Sequence, residues 1–127
     1  MLELKDFEEA KKRVDEVIIP TPLIYSPAFS KECRNMVYIK PENLQRTGAF
    51  KIRGAYNKIM KMDEESKSRG LIASSAGNHA QGVAYAAQQL GVKATIVMPA
   101  HTPLIKVDAT KALGAEVVLH GEVYDDA

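Results

Sequence analysis

Two hydrophobic rhythms alternate along this chain. One steps by three and four residues, at Phe7, Ala10, Val14 and Val17, at Ile52, Ala55, Tyr56, Ile59 and Met60, at Ala80, Val83, Ala84, Ala87 and Leu90, and at Ile105, Ala109, Ala112 and Leu113. That spacing covers one face of an α-helix, so four amphipathic helices are predicted, each with its apolar stripe toward a core. The first spans residues 4–17 and is stopped by Pro20 and Pro22, the third ends with Gly91 in the C′ position, and Thr102-Pro103 opens the fourth. The other rhythm is the short apolar run, at residues 71–74, 94–98 and 116–119, each led by a glycine, Gly70, Gly91 and Gly114. Near-continuous apolar runs of this length read as strands covered on both faces. A further short strand is predicted over residues 36–40, closed by Pro41, and residues 21–34 read as extended or irregular.

The glycines recur at near-equal intervals, and each interval holds one strand, one helix and their turns. Strands alternating with helices predict an α/β fold, an open parallel sheet with crossover helices rather than a solenoid. The sequence stops just after the third strand, at what reads as the start of another helix, so the domain is expected to be truncated.

Composition narrows the function classes. Among 127 residues, 46% are hydrophobic and 26% charged, with a net charge of +1, the usage of an ordinary soluble domain. Seventeen basic residues against sixteen acidic ones leave no excess to neutralise phosphates, and 6% aromatics offer little for base stacking, so no nucleic-acid partner is expected. No apolar run approaches the roughly 20 residues needed to cross a bilayer, and the acidic N-terminus lacks a signal-peptide pattern. No membrane partner and a cytoplasmic location are therefore expected. Cys33 is the single cysteine, which excludes an internal disulfide, and His101 and His120 lack partners at ligand spacing, so no metal site is predicted.

Candidate chemistry begins where helix physics is locally violated. Lys51 stands in the first turn of the second predicted helix, in Thr47-Gly48-Ala49-Phe50-Lys51-Ile52-Arg53-Gly54-Ala55. Unpaired N–H groups make that end partly positive and disfavour a cation by about 0.3–1 kcal/mol. The same field favours the neutral amine, the nucleophile that condenses with an aldehyde, so the placement makes sense for a covalent anchor. A solvated surface lysine is the plainer reading. The second candidate, Ser74-Ser75-Ala76-Gly77-Asn78-His79, joins the strand at 71–74 to the helix bearing Ala80 and Val83. Ligands of open α/β sheets bind at that end of a strand, and a helix start rich in Ser, Gly and Asn presents N–H groups to an anion. Ser, Asn and Gly are equally good helix caps, so capping and anion binding both remain open.

Together the segments around Lys51 and Ser75, with Ala80-Gln81-Gly82, resemble the paired signatures of the fold-type II pyridoxal-phosphate enzymes, most closely the bacterial threonine dehydratases. The likeness takes in Tyr38-Ile39-Lys40-Pro41-Glu42, residues 99–107 and residues 113–119. It implies that Lys51 holds pyridoxal 5′-phosphate covalently and shuttles protons at the substrate's α-carbon. By the same likeness Phe50 packs near the pyridine ring and Asn78 hydrogen-bonds its 3′ oxygen. Ser75, Ala76, Gly77, Asn78 and His79 match the loop that grips the substrate carboxylate. Implied with them are a small amino-acid substrate, L-threonine and also L-serine, deaminated to a 2-oxo acid and ammonia, and a homo-oligomeric complete enzyme. Residues 1–35 would be an N-terminal helix and extended segment, and residues 36–127 the incomplete small α/β domain of a larger enzyme. Two departures are noted. Ala49 replaces the usual Ser, and the phosphate cup, the partner of the pyridine nitrogen and the family's cation ligands are expected beyond Ala127. Serine racemases on this scaffold carry Ser where Ala76 stands, which favours elimination here; the alternatives of another class are a non-catalytic fragment and a nucleotide-binding α/β module, the latter without a Gly-x-Gly-x-x-Gly or Walker pattern and with Lys51 idle. Arg53 is expected to orient its helix or a neighbouring carboxylate, and Tyr25 to pack.

Overall fold

The computed structural model describes residues 1–127, the Tyr124 side chain excepted. Six α-helices and five strands follow in the order α1 (Leu4–Val14), β1 (Ile24–Tyr25), α2 (Pro27–Cys33), β2 (Tyr38–Ile39), α3 (Lys51–Met60), α4 (Glu64–Arg69), β3 (Leu71–Ser74), α5 (Asn78–Gln89), β4 (Ala94–Met98), α6 (Leu104–Ala112) and β5 (Glu116–Leu119). Short 3-10 turns lie at Glu42–Leu44 and Tyr124–Asp126. Strands β3, β4 and β5 form a parallel sheet in that order, with Ala73 opposite Ile96 and Ile96 opposite Val117. This is the expected α/β architecture. The β1 and β2 strands form a separate antiparallel ladder, Ile24 opposite Ile39 and Tyr25 opposite Tyr38.

The core lies between the sheet and α5, with α3 packed on the outer side of α5. Ile52 of α3 and Ile96 and Met98 of β4 are fully buried, and Ala80, Val83, Ala84, Ala86 and Ala87 line α5. Small residues along α5 let it sit close to both neighbours. Gly91 and Gly114 adopt φ of +65° and +83° just past α5 and α6, the left-handed turn that glycine takes without a Cβ penalty.

Several expectations are corrected. The strands are not covered on both faces: Ala94, Ile96 and Met98 are buried on one side, while Ile72 is 76% exposed and Val118 39%. Helices α5 and α6 pack against each other on a single face, as right-handed crossovers advancing in one direction require. Residues 21–34 are not wholly irregular, because Ser26 caps α2 by accepting from the Phe29 N–H and Pro27 occupies its first turn. Helix α1 ends at Val14 rather than 17, and Phe7 is 60% exposed although α1 packs on α3, where Arg13 Nε donates to Asn57 Oδ1 at 2.7 Å. The apolar stripe of α6 is rotated: Ile105 is 78% exposed and Val107 and Thr110 are buried. Thr110 tolerates burial because its hydroxyl donates to the Lys106 carbonyl at 2.9 Å. The strand expected over 36–40 contracts to Tyr38–Ile39. Helix α4, too short and polar for a stripe, is set by Asp63, whose side chain accepts from the Ser66 N–H at 2.7 Å.

Candidate functional site

Lys51 is the first residue of α3, as the periodicity predicts, and its side chain is exposed. No side chain caps this helix, and no acidic residue stands in its first turn. The Lys51 amine makes no ion pair among the described residues and lies 5.2 Å from the centroid of the Phe50 ring, itself exposed. Close by in sequence, the Thr47 hydroxyl is buried without a hydrogen-bond partner among the described residues. A buried orphan hydroxyl costs stability. Periodicity could not single it out, because threonine is common in turns.

Helix α5 brings the second segment to the first. A Cβ built on Gly82 would stand 3.1 Å from the Lys51 carbonyl carbon, 3.2 Å from the Ile52 nitrogen and 3.2 Å from the Lys51 Cβ. The helices therefore touch backbone to backbone at Lys51, one turn along α5 from the loop that follows β3. Ser74 ends β3, and the Ser75 N–H continues the ladder by donating to the Val97 carbonyl at 3.0 Å. The buried Ser75 Oγ accepts from the N–H groups of Gly77 and Ala80 at 3.3 and 3.2 Å. Capping is thus one duty of Ser75, and its hydroxyl proton remains available for donation. The N–H groups of Asn78 and His79 have no partner among the described residues, the usual state of a first helical turn and a source of anion affinity.

Gly77 is informative through what surrounds it. Its φ of −136° suits any residue, and a Cβ there would meet nothing within 4 Å. Packing within the chain does not call for glycine at this position, whereas close approach of a ligand to the loop backbone does. Asn78 and His79 are exposed and Ala76 is half-buried. His79 also borders a groove of about 340 Å³ between α3 and β3, with Ile59, Ile72 and Val83.

A polar network that no periodicity or motif singles out also holds α3. Arg53 Nε and Nη2 donate to Glu42 Oε2 and Oε1 at 2.9 and 2.8 Å, a two-pronged fork, and Thr21 Oγ1 donates to Glu42 Oε1 at 2.7 Å. Buried Gln45 accepts from the Ile19 N–H at 2.8 Å and donates to the Ile19 carbonyl at 2.9 Å. The Arg53 guanidinium, with Thr21, holds the Glu42 carboxyl down to about 2 against an ordinary 4.5, despite the opposing effect of burial. The same carboxylate raises Arg53 further. Arg53 thus orients its helix through a carboxylate, as anticipated. The partner could not be chosen from sequence, since the chain offers sixteen acidic residues.

Other residues lie apart from this cluster. Tyr25 packs edge-on against Tyr38 with ring centroids 5.5 Å apart. Cys33, His101 and His120 are exposed. Among the described residues no group of three His, Cys, Asp or Glu side chains could share a metal ion, and no helix is long and apolar enough to cross a membrane.

Comparison with known proteins gives the family. The profile of the family described as pyridoxal-phosphate dependent enzyme matches residues 14–127. The L-threonine ammonia-lyase of Thermotoga maritima is 52% identical over 127 residues, covering 100% of this chain and 32% of that protein. Among solved structures, the serine racemase of Dictyostelium discoideum superposes with a TM-score of 0.90 at 38% identity, covering 98% of this chain and 41% of the other. The processed threonine deaminase isoform 2 of Solanum lycopersicum gives a TM-score of 0.84 at 42% identity, covering 98% and 36%. The chain thus spans about a third of the length of the curated relatives it matches.

Proposed function

We propose that this chain, which belongs to the pyridoxal-phosphate-dependent enzyme family, carries the lysine anchor and the carboxylate-binding loop of an enzyme that deaminates L-threonine, and also L-serine, to a 2-oxo acid and ammonia. The observation that carries the reading is that α3 at Lys51, whose amine makes no ion pair among the described residues, touches α5 at Gly82, one turn from a loop whose Asn78 and His79 N–H groups have no partner among the described residues. The residues present fit the cofactor: a free amine, an exposed aromatic ring beside it and an amide one helix away with no hydrogen bond to the described residues. When bound, pyridoxal phosphate supplies an electron-withdrawing ring that stabilises negative charge developing at the substrate's Cα.

Each residue then has a defined duty. Lys51 would hold the cofactor through its Nζ and would serve as the base for the proton at the substrate's Cα. Phe50 covers the site beside Lys51, and Asn78 donates its amide to the 3′ oxygen of the cofactor. The Asn78 and His79 N–H groups and the Ser75 hydroxyl bind the substrate carboxylate, which fixes the Cα–H bond in one orientation. Gly77 lets that carboxylate approach the backbone. The nearness of α5 to Lys51 sets carboxylate and base at a constant separation.

The likeness to a serine racemase keeps a second reading in view. Racemisation needs a proton donor on the face of Cα opposite Lys51, and position 76 offers only a methyl group. In the full-length protein, L-serine and L-threonine are therefore expected to yield 2-oxo acids and no D-amino acid, whereas Ala76→Ser should add measurable D-serine. Chiral chromatography of the products checks this. D-serine from the unaltered protein would replace the deaminase reading with the racemase one, and absence of 2-oxo acid from either substrate would refute it.

A further inference from the structure

We propose that Gly82 is a positioning residue for Lys51: by bringing α5 against the α3 backbone at residues 51 and 52, it sets the distance between the Lys51 amine and the loop at residues 75–79. The inference rests on the reading of Lys51 as the cofactor anchor and extends it to a residue that touches neither cofactor nor substrate.

Three contacts at 3.1–3.2 Å surround the Cβ that Gly82 lacks, and two of the atoms, the Lys51 carbonyl carbon and the Ile52 nitrogen, are backbone. A flexible side chain could swing away from an added methyl group, but a helix backbone moves only as a unit. The first turn of α3 has little freedom to move, since Ile52 is fully buried and Arg53 is forked to Glu42. A methyl group at position 82 therefore displaces α5 and its leading loop from Lys51 by a few tenths of an ångström. Helix propensity points the other way, because alanine is preferred to glycine in a helix interior. Gly54, on α3 itself, is the matched control: a Cβ there meets nothing within 4 Å.

The test uses the full-length protein with pyridoxal phosphate, followed by absorbance and by borohydride reduction and peptide mapping. Gly82→Ala should lower the rate of cofactor capture at Lys51 several-fold, up to about tenfold, since a misplacement of a full ångström costs about a hundredfold. It should also shift the absorbance of the bound cofactor while leaving the far-ultraviolet dichroism in place. Gly54→Ala should capture at the parent rate and melt at a slightly higher temperature. The double variant Gly54→Ala/Gly82→Ala, with the stabilising change built in, should keep the fold and still show the slow capture. Capture by Gly82→Ala at the parent rate with an unshifted spectrum would overturn the proposal, as would a double variant that no longer folds, because Gly82 would then serve packing alone. Failure of the unaltered protein to be labelled at Lys51 is a separate result, one that refutes the anchor itself.

Discussion

Replacing Lys51 with Ala in the full-length protein is expected to abolish covalent capture of pyridoxal phosphate and to lower deamination by about a thousandfold or more. On the proposed reading the amine would supply both the link to the cofactor and the base at Cα, and roles that depend on one positioned nucleophile are lost together. Lys51→Arg should fare no better, since a guanidinium stays protonated and cannot condense with an aldehyde. The fold should not suffer. Lys51 is exposed at the first position of α3 and makes no ion pair among the described residues, so removing its charge from the partly positive helix end should stabilise the protein by about 0.3–1 kcal/mol. Gain of stability with loss of activity is the signature of a residue kept for chemistry at the expense of folding. Steady-state kinetics beside thermal melts of both variants check the pairing. Turnover within tenfold of the parent would show that another amine serves as the base.

The second large effect belongs to the fork on the same helix. Glu42→Gln should destabilise the protein by about 2–3 kcal/mol, because it leaves Arg53, whose side chain is only 28% exposed, without its counter-charge. The acid profile gives an independent signature. A carboxyl held down to about 2 in the folded chain and at its ordinary 4.5 when unfolded contributes stability that is fully present above 4.5 and is lost as pH falls toward 2. The size of that step follows from the shift and is on the order of 3 kcal/mol. Urea unfolding at several pH values should show the step in the parent and not in Glu42→Gln. Parallel acid profiles, with the variant within 0.5 kcal/mol of the parent at neutral pH, would mean that the fork contributes nothing to holding α3.

Periodicity revealed those parts of the fold whose apolar residues sit on one face. Helix α3 and the strands β3, β4 and β5 fall where the spacing predicts; Ile52, Ala55, Tyr56 and Ile59 are buried for the reason the helical stripe assumes, whereas β4 buries only Ala94, Ile96 and Met98, on one face. The misreadings share a physical cause. Helix α2 is specified by the Ser26-Pro27 cap rather than by a stripe, and α4 by Asp63. In α6 a threonine occupies the core side because its hydroxyl is satisfied within its own helix, which no hydropathy pattern registers. At the candidate site, Lys51 and the loop at 75–79 stand out by residue type, a cation at the wrong end of a helix and a cluster of capping residues after a strand. Their juxtaposition was not readable from spacing, since it depends on one missing Cβ at Gly82. Nor was the Glu42–Arg53 fork, which joins residues from a 3-10 turn and a helix through side-chain geometry.

Borohydride reduction of the cofactor-loaded full-length protein, with the pyridoxyl group located by peptide mass spectrometry, decides whether Lys51 is the covalent anchor of a pyridoxal-phosphate enzyme. The account predicts one labelled lysine, Lys51, with labelling suppressed when L-threonine is added before the reductant. A pyridoxyl group found on another lysine, such as Lys40 or Lys58, with Lys51 unmodified, would contradict it.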